Sequence, residues 1–212
     1  MEFGFIGLGN MGGGLARNLI RAGKSVLVFD LDSAAIEKTL AAGATGKAAG
    51  NAKELAGCDV VFTSLPLPSH IESVMLGDDG LLNAMKAGST YIDVSTIDPK
   101  TARKVSDACE EKSIRFLACP LGKNPAAAEK AEEPIFAGGK KEVFDEMKET
   151  LQIVGNPVYY MGDVEAAEAF KLISNMVGMT NVAVLGEGIR LGEKAGIAPK
   201  LMAELLEETG GK

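Results

Sequence analysis

The chain has 212 residues, 46% of them hydrophobic and 5% aromatic, enough for one substantial core and a smaller second element. With 29 acidic against 22 basic residues the formal charge is −7, and no Lys/Arg stripe is present. Sequence-independent nucleic-acid binding, which neutralises phosphates with clustered bases, is therefore excluded. The 3 cysteines, Cys58, Cys109 and Cys119, are odd in number and lack metal-ligand spacing. Neither a disulfide framework nor a metal site is expected, and a reducing, cytoplasmic setting is.

The first strand is expected from about Phe3, which leaves no room for a signal peptide ahead of it. FGFIGLGNMGGGLARNLI then breaks into Gly7, Gly9 and Gly12 before an amphipathic helix resumes. Each glycine has a task where a strand turns directly into a helix. Gly7 permits the tight turn, Gly9 lets backbone approach a phosphate, and Gly12 lets helix pack on strand. The helix end offers free N–H groups and a partial positive charge, so a diphosphate can bind without a Lys or Arg. Leu8, Asn10 and Met11 complete that cofactor-binding loop. VLVFD closes the next strand on Asp30, a carboxylate placed to bond ribose hydroxyls and repel an extra phosphate, so NAD is expected over NADP. The bland alternative is a glycine-rich turn followed by an ordinary strand-end acid. Asp32, before SAAIEKTL, reads as a helix N-cap.

The apolar runs FGFIGLG, SVLVFD, DVVFTSL, TYIDVS and IRFLACP alternate with helical patterns, which predicts a mainly parallel sheet with crossover helices. EPIFAGG and NPVYYMG read as closing strands around the helix KKEVFDEMKETLQIV, so the first domain ends near Gly162. Ligands of such sheets bind outside the carboxyl ends of the strands, which singles out Leu65, Pro66, Ser95, Thr96 and the PLGKNP segment. Leu65 and Pro66 either border a cofactor or simply stop a strand. On local signal, Ser95 and Thr96 read as caps of the helix begun at Asp98-Pro99. His70 reads as an exposed helix-start residue, and the pairs Asp78-Asp79 and Glu132-Glu133 as solvated loop charges.

From Asp163 to about Ala195 one helix is expected, roughly 50 Å long if unbroken and suited to bridging domains. Lys171 is the one charged residue in AFKLISNMVGMTNVAVLG. Asn175 lies four residues on and so on the same helical face, with Ser174 nearby and Gly178 leaving room. A lysine, an amide and a gap suggest a site; the alternative is a lysine that snorkels to solvent from the helix edge. Ser174, Asn175, Thr180 and Asn181 make the stretch too polar for a membrane span.

These residues resemble the β-hydroxyacid dehydrogenases, the group that contains 3-hydroxyisobutyrate dehydrogenase and sulfolactaldehyde reductase. FIGLGNMGGGLARNL is similar to the family's N-terminal signature, with Leu15 where methionine is usual; DVVFTSLP, YIDVST and FKLISN match its later motifs in order. The resemblance implies a Rossmann-type doubly wound α/β domain over 1–162. Over 163–212 it implies a long interdomain helix and the start of an all-helical substrate and oligomerisation domain. It also implies Lys171 as catalytic acid–base group, Asn175 and Ser95 against substrate, and Thr96, Leu65 and Pro66 against NAD. The substrate would be a small 3-hydroxy acid or its aldehyde.

Two departures stand out. Where the family often carries DAPVSGG this chain has ACPLGKN, placing Gly122 at the serine and Lys123 at a glycine. Lys123 is similar to the base of the sulfolactaldehyde reductases, an arginine there, and would hold an anionic substrate as a point charge. Glu165 stands where a glycine is usual. Family chains continue for about another half-domain of helices, so the sequence is expected to be either a fragment or a chain whose exposed helix is covered in a homo-oligomer. Three activities follow as alternatives: an NAD-dependent hydroxyacid oxidoreductase, a catalytically weak NAD-binding module, and an imine reductase, the last disfavoured because those relatives replace the lysine.

Overall fold

The computed structural model describes residues 1–209; residues 210–212 of the expected 163–212 segment lie outside the described residues. Eight strands alternate with helices: β1 (Glu2–Ile6), α1 (Gly12–Arg21), β2 (Ser25–Phe29), α2 (Ser33–Leu40), β3 (Gly46–Ala48), β4 (Val60–Thr63) and α3 (Pro68–Ile71). Then follow β5 (Thr90–Asp93), α4 (Pro99–Glu111), β6 (Arg115–Ala118), α5 (Pro125–Glu129), β7 (Ile135–Gly139), α6 (Lys141–Val154), β8 (Val158–Gly162), α7 (Val164–Lys194) and α8 (Pro199–Glu207).

The strands form one sheet in the order β3-β2-β1-β4-β5-β6-β7-β8. All neighbours are parallel except β6 with β7. Every residue of β4 and β5 is buried, as expected of parallel strands covered on both faces. Alternate side chains enter two separate cores. Phe3, Phe5, Phe62 and Ile92 pack on one side with Leu15, Leu19 and Leu151. Ile6, Val61, Tyr91 and Phe116 pack on the other with Leu55, Ile71 and Val105. The sheet is therefore doubly wound. The chain moves outward from β1 to β3 and returns to β4 beside β1, so the order reverses at the β1/β4 junction, where such sheets form their ligand crevice. β3 carries no apolar run in the sequence, because its three residues line the edge and none is buried.

The helix expected from Asp163 to Ala195 spans Val164–Lys194. By chain contacts there are two compact units, Met1–Lys171 and a second beginning at Leu172. Within the first unit Val164, Ala167 and Glu168 are buried. In the second, Ile173, Met176, Met179 and Val182 are exposed. By length and composition α7 is apolar enough to cross a bilayer. That corrects the expectation that it is too polar: its Val, Leu, Ile and Met side chains outweigh its four small polar ones.

Candidate active site

The loop between β1 and α1 shows what each glycine is for. Gly7 has φ +88°, and a Cβ there would meet the Ser64 carbonyl oxygen at 2.3 Å. A Cβ on Gly12 would lie 2.0 Å from the Gly7 carbonyl oxygen and 3.0 Å from the Phe5 ring. Both positions are closed by the protein itself. Gly9 differs: a Cβ there would meet nothing within 4 Å. The fold does not require glycine at that position, whereas a diphosphate approaching the backbone would. Among the described residues no side chain caps the N-terminus of α1 and no acid stands in its first turn. Gly13 N and Gly14 N donate to the Gly9 and Met11 carbonyls at 3.1 and 3.0 Å, so the Gly12 N–H and the positive end of the helix are what remain for an anion.

Asp30, half-buried at the end of β2, faces this loop. Its Oδ2 accepts the Leu8 N–H at 2.5 Å and its Oδ1 the Asp32 N–H at 2.8 Å. Each carboxylate oxygen retains a lone pair for a ribose hydroxyl. Asp32 caps α2 by accepting from Ala34 N at 2.9 Å. The glycine loop, the uncapped helix end and Asp30 together fit a dinucleotide.

At the ends of β4 and β5 the expected cap is overturned. Asp98, not Ser95 or Thr96, caps α4, accepting from Thr101 N at 3.0 Å. Ser95 is only 4% exposed. Its hydroxyl donates to Asp93 Oδ1 at 2.6 Å and accepts the Leu65 N–H at 2.9 Å, so it is committed to joining the turns after β4 and β5. Asp93 Oδ1 also accepts from Thr63 Oγ1 at 2.8 Å and Ser95 N at 3.1 Å. Asp93 Oδ2 is buried without a partner. Burial pushes the Asp93 carboxyl up, against its hydrogen bonds from Ser95 and Thr63. Leu65 is half-buried, and Pro66 and Thr96 are exposed beside this turn. His70 is exposed on α3.

The segment after β6 contains a second correction. Glu133 is not a solvated loop charge but fully buried. Its carboxylate accepts the backbone N–H groups of Lys123 and Asn124, the latter at 3.1 Å, so it organises the turn that carries Lys123. An apolar side chain here would leave those two N–H groups without an acceptor, and the glutamate satisfies both. Burial pushes its carboxyl up, opposed by those two N–H groups and by Lys171. The exposed Lys123 donates from Nζ to the Glu132 carbonyl at 3.1 Å. Gly122 N donates to Pro134 O at 2.9 Å, and a Cβ on Gly122 would meet the Phe136 ring and Pro134 at 3.1 Å. The outer side of the segment is held by Glu129, which pairs with Arg17 and Arg21 of α1. The Arg17 hydrogen bond, ahead of that from Arg21, brings the Glu129 carboxyl down to about 2 despite partial burial.

Lys171 is half-buried on α7. Burial lowers its pKa, while the negative charges of Glu133 and Glu168 raise it. Glu168 is fully buried one turn earlier. Its Oε2 accepts the Ile97 N–H at 3.2 Å and its Oε1 has no partner. Burial, then the Asp93 charge, pushes its carboxyl up to about 8. Asn175, one turn beyond Lys171 on the same helix, is exposed and belongs to the second unit. Sequence reasoning missed Asp93, Glu133 and Glu168. The i, i+3 spacing of Glu168 and Lys171 was a usable signal; nothing local marked Glu133. The three cysteines are free and buried.

Residues 2–162 match the family described as the NAD binding domain of 6-phosphogluconate dehydrogenase. The chain is 35% identical over 212 residues to the 2-(hydroxymethyl)glutarate dehydrogenase of Eubacterium barkeri, covering 100% of this chain and 70% of that enzyme. It is 36% identical over 211 residues to the 3-hydroxyisobutyrate dehydrogenase of Pseudomonas aeruginosa, covering 99% of this chain and 70% of that enzyme. The structure of the Mycobacterium tuberculosis 3-hydroxyisobutyrate dehydrogenase with L-serine superimposes with a TM-score of 0.89 at 27% identity, over 100% of this chain and 71% of that one. A glycine loop closed at Gly7 and Gly12 but open at Gly9, an acid at the end of β2 and a lysine on the long helix thus stand in a chain that belongs to the β-hydroxyacid dehydrogenase family.

Proposed function

We propose that this protein is an NAD-dependent oxidoreductase that interconverts a small anionic 3-hydroxy acid and its semialdehyde. The observation that carries the reading is Lys171, a half-buried ammonium on a helix of the sheet unit, acted on by two buried acids from different segments. Burial makes the proton easier to give up and the acids limit how far, which suits a group that donates and recovers one proton per turnover.

Gly7, Leu8, Gly9, Asn10, Met11 and Gly12 would hold the diphosphate, Asp30 the adenosine ribose, and Leu65, Pro66 and Thr96 the nicotinamide side. When bound, the nicotinamide supplies or accepts a hydride at the substrate carbon. The chain's own work in reduction is to align the carbonyl, with Gly122 against substrate and the buried Ser95 bracing the turns after β4 and β5. Lys171 then passes a proton to the oxygen as negative charge develops on it. In oxidation Lys171 as free amine takes that proton back. Lys123, at the mouth of its turn, would hold the carboxylate or sulfonate as a point charge. Asp30 favours NAD, since a 2′-phosphate would meet its charge. The exposed Met176, Met179 and Val182 favour a homo-oligomer, with the apolar turns of α7 facing protein rather than lipid, and the setting is cytoplasmic.

The test is NADH oxidation with a panel of short carboxylate- and sulfonate-bearing aldehydes, using the parent chain, Lys171→Ala and Lys123→Ala. The reading expects turnover by the parent, loss of about 100-fold or more in kcat for Lys171→Ala, and a raised KM for Lys123→Ala. NADH binding by all three without turnover by any would favour a binding module instead.

A further inference from the structure

Two carboxylate oxygens are buried without a partner among the described residues, Asp93 Oδ2 and Glu168 Oε1. The Asp93 charge is the largest charge felt by Glu168. An ionised carboxylate out of water is costly unless donors surround it. Asp93 has three, from Thr63 Oγ1, Ser95 N and Ser95 Oγ, all on Oδ1. Glu168 has one, the Ile97 N–H on Oε2. One added proton lowers the charge of this pair, and the donor count decides where it rests: on the orphaned Oε1 of Glu168, leaving Oε2 to accept from Ile97.

We propose that Glu168 is a positioning residue which, as a neutral carboxylic acid, ties the first turns of the Lys171 helix to the Ser95–Ile97 turn and so sets the acid–base group and the substrate- and cofactor-side turn in one frame. The inference rests on the reading of Lys171, Ser95 and Thr96 given above. It explains why a glutamate points into the sheet unit one turn before Lys171. A neutral acid holds Ile97 without placing a second full negative charge beside Asp93. An apolar side chain would leave the Ile97 N–H unpaired. The charged and titratable groups around Glu168 are Asp93 and Tyr91 of β5, Asp98 before α4, Cys119 after β6 and Lys171 of its own helix. Only Lys171 is cationic. When Glu168 ionises near pH 8 the Ile97 N–H favours the charge but Asp93 and Asp98 repel it, and that repulsion is expected to displace the turn.

The experiment compares the full chain with Glu168→Gln, a permanent mimic of the neutral acid, and Glu168→Leu, which fills the space without accepting from Ile97. Infrared spectra of the parent should show the carbonyl band of a protonated carboxyl that disappears as pH rises through about 8 and is absent from Glu168→Gln. NADH affinity of the parent should weaken across the same pH range, and that dependence should vanish in Glu168→Gln. Glu168→Leu should bind NADH about tenfold more weakly at neutral pH and lose kcat with little change in substrate KM. A carbonyl band that titrates near pH 8 and persists unchanged in Glu168→Gln, or an NADH affinity with the same pH dependence in parent and Glu168→Gln, overturns the proposal. The infrared and NADH readouts require no turnover. If the parent binds NADH and shows the band but reduces no aldehyde, the acid–base reading of Lys171 fails while the protonated clamp stands.

Discussion

Asp30 Oδ2 accepts the backbone N–H of Leu8 at 2.5 Å, so the acid at the end of β2 holds the glycine loop before it can hold a ribose. One carboxylate thus shapes the loop and, on the function proposed above, selects the cofactor. Asp30→Ala should therefore weaken NADH binding by about tenfold or more, since a charge-assisted hydrogen bond and a loop anchor go together. NADPH should lose much less, because the like charge facing its extra phosphate is gone. Titration of both cofactors by fluorescence checks this, and an unchanged NADH-to-NADPH ratio would sink the assignment.

Gly9 and Gly12 separate folding from binding. A Cβ at Gly12 would sit 2.0 Å from the Gly7 carbonyl oxygen, whereas at Gly9 it would meet nothing within 4 Å. Gly12→Ala should destabilise the protein by about 3 kcal/mol or more, because backbone must move to admit the methyl. Gly9→Ala should melt with the parent yet bind NADH about tenfold more weakly, the methyl occupying space that the diphosphate needs. Thermal melts paired with NADH titrations distinguish the two, and equal stability losses would mean that Gly9 is merely structural.

These glycines were legible in the sequence because their spacing is imposed by a local strand-to-helix turn. So was the sheet, because buried parallel strands are short apolar runs wherever they occur. The inner wall of the site was not. Glu133 sits beside Glu132 in a polar stretch, and only the chain returning past Lys123 and Asn124 buries it. Ser95 reads as a helix cap because Asp98-Pro99 follows it, yet Asp93 two residues earlier claims its hydroxyl. Both errors have one origin: a local rule assigns a polar side chain one role from the residues around it, while the fold also brings it a separate segment, Lys123 and Asn124 for Glu133 and Leu65 for Ser95.

Glu129 and Glu168 predict opposite pH limbs of stability. Glu129 is held down at about 2 by Arg17 and Arg21, so its contribution is present above the unfolded carboxylate range near 4.5 and is lost as pH falls toward 2. Its partial exposure keeps that contribution small. Glu168 is raised to about 8, so the stability it supplies is complete below pH 4.5 and is lost as pH rises through 8. Glu168→Gln, which cannot ionise, should match the parent near pH 4 and exceed it at pH 8 and above, by up to about 5 kcal/mol. Urea unfolding across that range measures the gap, and a gap independent of pH would contradict a titrating Glu168.

Glu133 and Lys171 make the sharpest test of the site's electrostatics. Burial lowers the Lys171 pKa and the Glu133 charge is the largest influence opposing it. On the proposed mechanism Lys171 carries a proton in the direction of reduction, so activity is expected to fall as pH rises through its pKa. Glu133→Gln removes the opposing charge and should move that fall to lower pH, while in oxidation, where the free amine is the working form, the rise should begin at lower pH as well. Glutamine offers one carbonyl oxygen where the carboxylate receives two N–H groups, so one buried donor loses its partner at a cost of about 1–3 kcal/mol. That loss appears in melting temperature, whereas the shift of the Lys171 limb appears in the profile of kcat. A profile that drops in height without moving along the pH axis would show that Glu133 only builds the turn and does not tune the lysine.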